Sequence, residues 1–154
     1  MLVVDDNATS RALLAERVSG WGLRCTQAAG AEEALSRYAE ATGHDDYDLV
    51  LVDCDMPGVD GVALTRTVRD HDAAAGRRLV PVVMLMASQR QRPAARLAGV
   101  DGFVSKPVRL AQLEVRVRGP CTSVATTLRA VCGPPGSTSR GPAPGPRRPR
   151  RRLR

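Results

Sequence analysis

Aromatic side chains are nearly missing from this chain, with one Phe, one Trp and two Tyr making up 3% of 154 residues. A core built without them must be mostly Val, Leu and Ala. Lysine is scarcer still, since Lys106 is the only one among 23 basic residues. No apolar run approaches the ~18 residues of a membrane span, and no signal peptide precedes the first apolar segment, so no membrane segment is expected. The four cysteines, Cys25, Cys54, Cys121 and Cys132, form no CxxC pair. A reduced, intracellular and cytoplasmic protein is the economical reading.

Acidic residues are absent from the end of the chain. Residues 119–154 hold 8 Arg and no Asp or Glu, for +8, whereas residues 1–118 hold 15 basic and 16 acidic residues, for −1. The net charge of +7 therefore belongs to the tail. Gly and Pro supply 12 of those 36 tail residues, and apart from a marginal helix over 122–131 the segment cannot bury enough apolar surface to order itself. An Arg-rich end can bind nucleic acid through its phosphates, or remain a solvated appendage. One folded domain over 1–118 and a disordered Gly/Pro/Arg-rich tail over 119–154 are expected.

The folded part is organised around LVLVDCDMPGVDG, residues 49–61. Leu49 to Val52 reads as a buried parallel strand, because an unbroken apolar run suits a strand covered on both faces. Asp53 follows where the strand should end, and Pro57, Gly58 and Gly61 prevent its continuation. A carboxylate there sits on the edge where open α/β sheets place their ligands.

The remaining segments repeat the same alternation. Leu2 to Val4 reads as a first strand ending in Asp5 and Asp6. A helix with Leu14, Val18 and Trp21 on one face follows, then a strand over 23–28 and a second helix with Ala34, Leu35 and Tyr38 inward. Beyond Asp53, a third helix is expected over 61–70, a polar loop over 72–78, and a fourth strand over 82–86 behind Pro81. Pro93 opens a short fourth helix, 101–105 forms a fifth strand ended by Lys106, and Leu110, Leu113 and Val117 mark a last helix. Helices between strands predict a parallel, doubly wound sheet with right-handed crossovers and helices on both faces. His44 and His71 fall in segments read as polar, exposed loops.

Asp5, Asp6 and Asp53 all end strands, and in a parallel sheet those ends share one edge. Three carboxylates so close repel and ask for a cation; hard oxygen ligands with open water positions suit Mg²⁺. The alternative is that Asp5 and Asp6 merely cap the first helix. Lys106 offers a compact ammonium for an anionic oxygen, and the following Pro107 allows a cis bond.

VVDDN, LVDCDMPGVDG and GFVSKPV, in this order and spacing, resemble the receiver domain of two-component response regulators, most closely the receivers of hybrid sensor histidine kinases. The resemblance covers about residues 1–117. It implies a flavodoxin-like sheet of strand order 2-1-3-4-5, in which Asp53 accepts a phosphoryl group from a phosphohistidine. It further implies Mg²⁺ held by Asp5, Asp6, Asp53 and the backbone carbonyl of Asp55, with Lys106 pairing with the bound phosphoryl group. The implied partners are a histidine kinase or a histidine phosphotransfer protein, and the family also allows a receiver–receiver dimer. Phe103 matches the family's aromatic switch position and can equally be a core residue of the fifth strand.

One position departs from that pattern. Where the family ends its fourth strand with Thr or Ser, this chain has Met86, whose thioether cannot donate a hydrogen bond. Ser88 could substitute only through a slipped register or a bulge, since a strand advances ~6.6 Å over two residues. Met86 therefore favours a second reading, a degenerate receiver that acts as an interaction module whatever the state of Asp53. A third reading, a haloacid dehalogenase-type phosphatase suggested by Asp53-Cys54-Asp55, lacks the acidic cluster such enzymes carry after their lysine; only Glu114 follows Lys106.

Overall fold

Apolar runs too short for helices become three of the five strands here, over Leu2–Val4, Val50–Asp53 and Val82–Met86. The computed structural model describes residues 1–41 and 47–118; the expected tail, His44, Cys121 and Cys132 lie outside the described residues. Its elements run β1 (Leu2–Val4), α1 (Ala8–Gly20), β2 (Thr26–Ala28), α2 (Ala31–Glu40), β3 (Val50–Asp53), α3 (Gly61–Ala74), β4 (Val82–Met86), α4 (Arg92–Leu97), β5 (Gly102–Ser105) and α5 (Leu110–Arg118). A 3₁₀ turn, Gln89–Gln91, leads into α4. The strands form one parallel sheet of order β2-β1-β3-β4-β5. This is the doubly wound, flavodoxin-like fold.

Alternation along the strands sorts the core into two layers. Val3, Leu51, Leu85 and Val104 pack with Leu14 and Val18 of α1 and Leu113 and Val117 of α5. Val4, Val52, Met84 and Met86 pack on the other face with Ala34 and Tyr38 of α2, Leu64 and Val68 of α3, and Ala95 of α4. Each such Leu or Val, buried fully, stabilises the fold by about 1.5–3 kcal/mol. Two helices on one face and three on the other cover a sheet whose central strands have no solvent side.

Three local expectations are corrected. The second strand is shorter than 23–28, because β1 offers it only Leu2, Val3 and Val4 to pair with; Leu23 instead closes α1, its N–H donating to Val18 O behind Gly22 at φ +80°. The third helix runs past residue 70 to Ala74, so Asp72 and His71 are helical rather than in a polar loop. Asp72 is fully buried, accepting from the Tyr38 hydroxyl at 2.8 Å, and the His71 ring packs edge-on against Tyr38. Tyr38 of α2 is a partner of both, a contact that the polar character of the segment does not reveal.

Candidate functional site

The strand ends that carry acids meet at one edge of the sheet, since β1 and β3 are neighbours in register, Val4 beside Val52. Asp53 is the last residue of β3 and only 2% exposed. Lys106 follows β5 and reaches back across β4, placing Nζ 2.6 Å from Asp53 Oδ2. Its own N–H donates to Met86 O at 2.8 Å, and the Lys106–Pro107 bond is cis. Asp53 Oδ1 accepts a longer bond, 3.4 Å, from the Asp55 N–H.

Asp5 and Asp6 join this pair. One carboxylate oxygen from each of Asp5, Asp6 and Asp53 lies within 4.8 Å of the others. Asp5 is fully buried and Asp6 exposed. Neither caps α1: Asn7 does so, its side chain accepting from the Ser10 N–H at 3.0 Å. Asp5 Oδ1 accepts from the Asn7 N–H at 2.9 Å, but its buried Oδ2 has no hydrogen-bond partner among the described residues. Burial pushes the Asp5 carboxyl above its ordinary value of 3.8; the Asn7 N–H opposes this, and the charge of Asp53 adds to it. A buried, unpartnered carboxylate oxygen beside two further acids suits a hard divalent cation.

The surroundings of four further residues are decided by the structure. Met86 is 2% exposed and belongs to the apolar layer under α2, α3 and α4, where its thioether packs as a core side chain. Ser88 does not supply a substitute hydroxyl; it is exposed and caps the 3₁₀ turn, Oγ accepting from the Arg90 N–H. Phe103 is half-buried against the core, with the Arg92 guanidinium 4.9 Å from its ring centroid. Cys54 is fully buried behind Asp53, its thiol donating to Gln91 Oε1 and held up at about 11 by burial, which makes it an inert neighbour.

Gly61 matters more than its reading as a turn former implied. Its N–H donates to Cys54 O at 3.0 Å, and a Cβ there would collide with the Asp53 carbonyl oxygen. Only glycine lets α3 start so close to the Asp53 backbone. Gly61→Ala is expected to destabilise the fold by about 1–3 kcal/mol and to displace Asp53. A thermal melt together with the loss of the Lys106–Asp53 contact in a crystal structure of the variant checks this; an unchanged contact refutes it.

Comparison with known proteins gives the same picture. The family model described as the response regulator receiver domain matches residues 1–118. The chain is 36% identical over 115 residues to the sensory/regulatory protein RpfC of Xanthomonas campestris, covering 73% of this chain and 15% of that protein. It is 32% identical over 120 residues to the transcriptional regulatory protein ResD of Bacillus subtilis, covering 77% and 46%. The chain thus spans less than half the length of either relative. The crystal structure of the receiver domain of sensor histidine kinase PA1611 from Pseudomonas aeruginosa, with a magnesium ion coordinated in its active-site cleft, superposes with a TM-score of 0.66 at 26% identity, covering 79% of this chain and 96% of that one.

Proposed function

The chain belongs to the response regulator receiver domain family of two-component signalling, and from that membership we propose that it is a Mg²⁺-dependent phosphoacceptor that takes a phosphoryl group onto Asp53. The observation that carries the reading is the contact of Asp53 with Lys106 inside a carboxylate cluster whose Asp5 Oδ2 lacks a hydrogen-bond partner among the described residues. Asp5, Asp6 and Asp53, with the Asp55 carbonyl, are the residues that would hold Mg²⁺. Bound there, the ion supplies positive charge to the oxygens of the transferring group.

The chain's own residues do the rest. In transfer from a phosphohistidine, a bond forms between an Asp53 carboxylate oxygen and phosphorus as the phosphorus–nitrogen bond breaks, and the imidazole leaves. Such a transfer needs mainly positioning and charge neutralisation. The buried setting of Asp53 holds the carboxylate in one place, and the Lys106 ammonium, already at hydrogen-bond distance, turns to the incoming phosphoryl oxygens. A cavity of about 410 Å³ between α1 and the start of α5 opens beside Asp5 and Lys106, with Leu13, Arg17 and Leu110 on its wall. A histidine kinase is the donor we assign, because the receiver of PA1611 belongs to a sensor histidine kinase; membership of the receiver family allows a histidine phosphotransfer protein in its place.

Intact mass after incubation of the full chain with Mg²⁺ and acetyl phosphate tests this reading. A single phosphoryl adduct is expected, lost in Asp53→Asn and lost when the cation is chelated. An adduct that persists in Asp53→Asn, or none on a folded sample, would overturn it. In the second case the core position of Met86 favours the interaction-module reading, and partner binding indifferent to Asp53→Asn would support that reading.

A further inference from the structure

Asp5 and Asp6 stand on the three-residue connection between β1 and α1, and that connection is gripped from behind by a side chain of the helix it feeds. Arg11 Nη1 donates to the Asp5 carbonyl oxygen at 2.6 Å and lies 3.5 Å from that of Asp6. Its backbone N–H donates to Asn7 O at 2.9 Å, a first-turn bond of α1, so the stem of the side chain is anchored in a capped helix. Carboxylates that repel one another rotate apart unless their backbone is restrained. The Asn7 N–H already holds Asp5 Oδ1 and Lys106 holds Asp53 Oδ2; Arg11 adds a restraint on the peptide that occupies no further carboxylate oxygen.

We infer that Arg11 is a positioning residue of the cation site, holding the Asp5 and Asp6 carbonyls so that both carboxylates stay beside Asp53. The inference rests on the phosphoacceptor reading and adds to it a residue that does not touch the reacting atoms. One guanidinium nitrogen faces both successive carbonyls, and the rigid planar group holds it there with less freedom than a lysine ammonium has. The charge of Arg11 taken alone would act in the opposite direction, repelling a cation bound nearby. The two roles therefore predict opposite signs.

Calorimetric titration of the full chain with MgCl₂ separates them, using the wild type, Arg11→Gln and Arg11→Lys, with thermal melts to show that each is folded. Positioning predicts that Arg11→Gln weakens Mg²⁺ binding about tenfold and Arg11→Lys by a smaller factor, roughly threefold, since a single charge-assisted bond remains. At saturating Mg²⁺ the rate of Asp53 phosphorylation by acetyl phosphate should return to the wild-type value in both. Unchanged or tighter binding in Arg11→Gln overturns the inference, and so does a reduced saturating rate with unchanged affinity. If Arg11→Gln fails to fold, Arg11→Lys decides by the same criteria. A wild type that binds no Mg²⁺ overturns the phosphoacceptor reading, and this inference with it.

Discussion

Asp5→Asn should yield a protein that is more stable without metal and is no longer phosphorylated. The wild-type carboxylate is fully buried, has one oxygen with no partner, and lies within 4.8 Å of two other acids. Asparagine has nearly the same shape, can still accept from the Asn7 N–H, and can turn its amide donors toward the neighbouring carboxylates. Relief of the repulsion should stabilise the fold by on the order of 1 kcal/mol, or a few degrees in Tm. The same change removes a charged cation ligand, so Mg²⁺ should raise the Tm of the wild type, by mass action on the folded state, and leave the variant nearly unmoved.

The pH dependence follows from the direction of the Asp5 shift. Its folded-state value lies above the ordinary 3.8, chiefly through burial. The unfolded chain therefore releases this proton more readily than the folded one. The resulting penalty is fully present above the folded value and is relieved as pH falls through that value toward 3.8. The Tm difference between Asp5→Asn and the metal-free wild type should shrink over that interval. A gap that is constant or widens on acidification would show that charge is not its origin.

Asp72→Ala is expected to have the largest effect on stability, about 3 kcal/mol, although it lies far from Asp53 in the chain. Its carboxylate accepts from the Tyr38 hydroxyl at 2.8 Å and the Val80 N–H at 3.4 Å, and lies 3.7 Å from Arg69 Nη1. Arg69 in turn donates to Val80 O, Gly99 O and Asp101, tying α3 to both ends of the connections around β4 and β5. Removing Asp72 leaves a buried hydroxyl without its acceptor and a largely buried guanidinium without one of its anions. Tyr38→Phe, which removes one donor and leaves the carboxylate with its other partners, should cost only about 1 kcal/mol. Equal losses from the two variants in urea unfolding would refute the network.

Sequence reading located the third strand, read over 49–52 and found as Val50–Asp53, and the fourth over 82–86, because an apolar run, a breaker and a strand-end carboxylate are all local signals. It missed the true length of α3 because Asp72 and His71 are polar by type, and their burial depends on Tyr38, 34 residues earlier for Asp72. It offered Asp5 and Asp6 as alternative caps of the first helix; Asn7 takes that place because its side chain accepts from the Ser10 N–H. Arg11 could have been noticed, one helical turn beyond Asn7, but nothing in the residue type says that it folds back over two carbonyls.

By itself the sequence determined the alternation of strands and helices, the edge on which the acids would meet and the absence of a hydroxyl at Met86. Each of these depends on residue identity and on spacing along a short stretch. Only the tertiary structure decided that Asp5 Oδ2 is buried without a partner, that Gly61 must lack a Cβ, and that Lys106 closes on Asp53 across 53 residues of chain. Those outcomes depend on how closely β1, β3, α3 and β5 approach one another, a distance set by packing of the whole sheet between its two layers of helices.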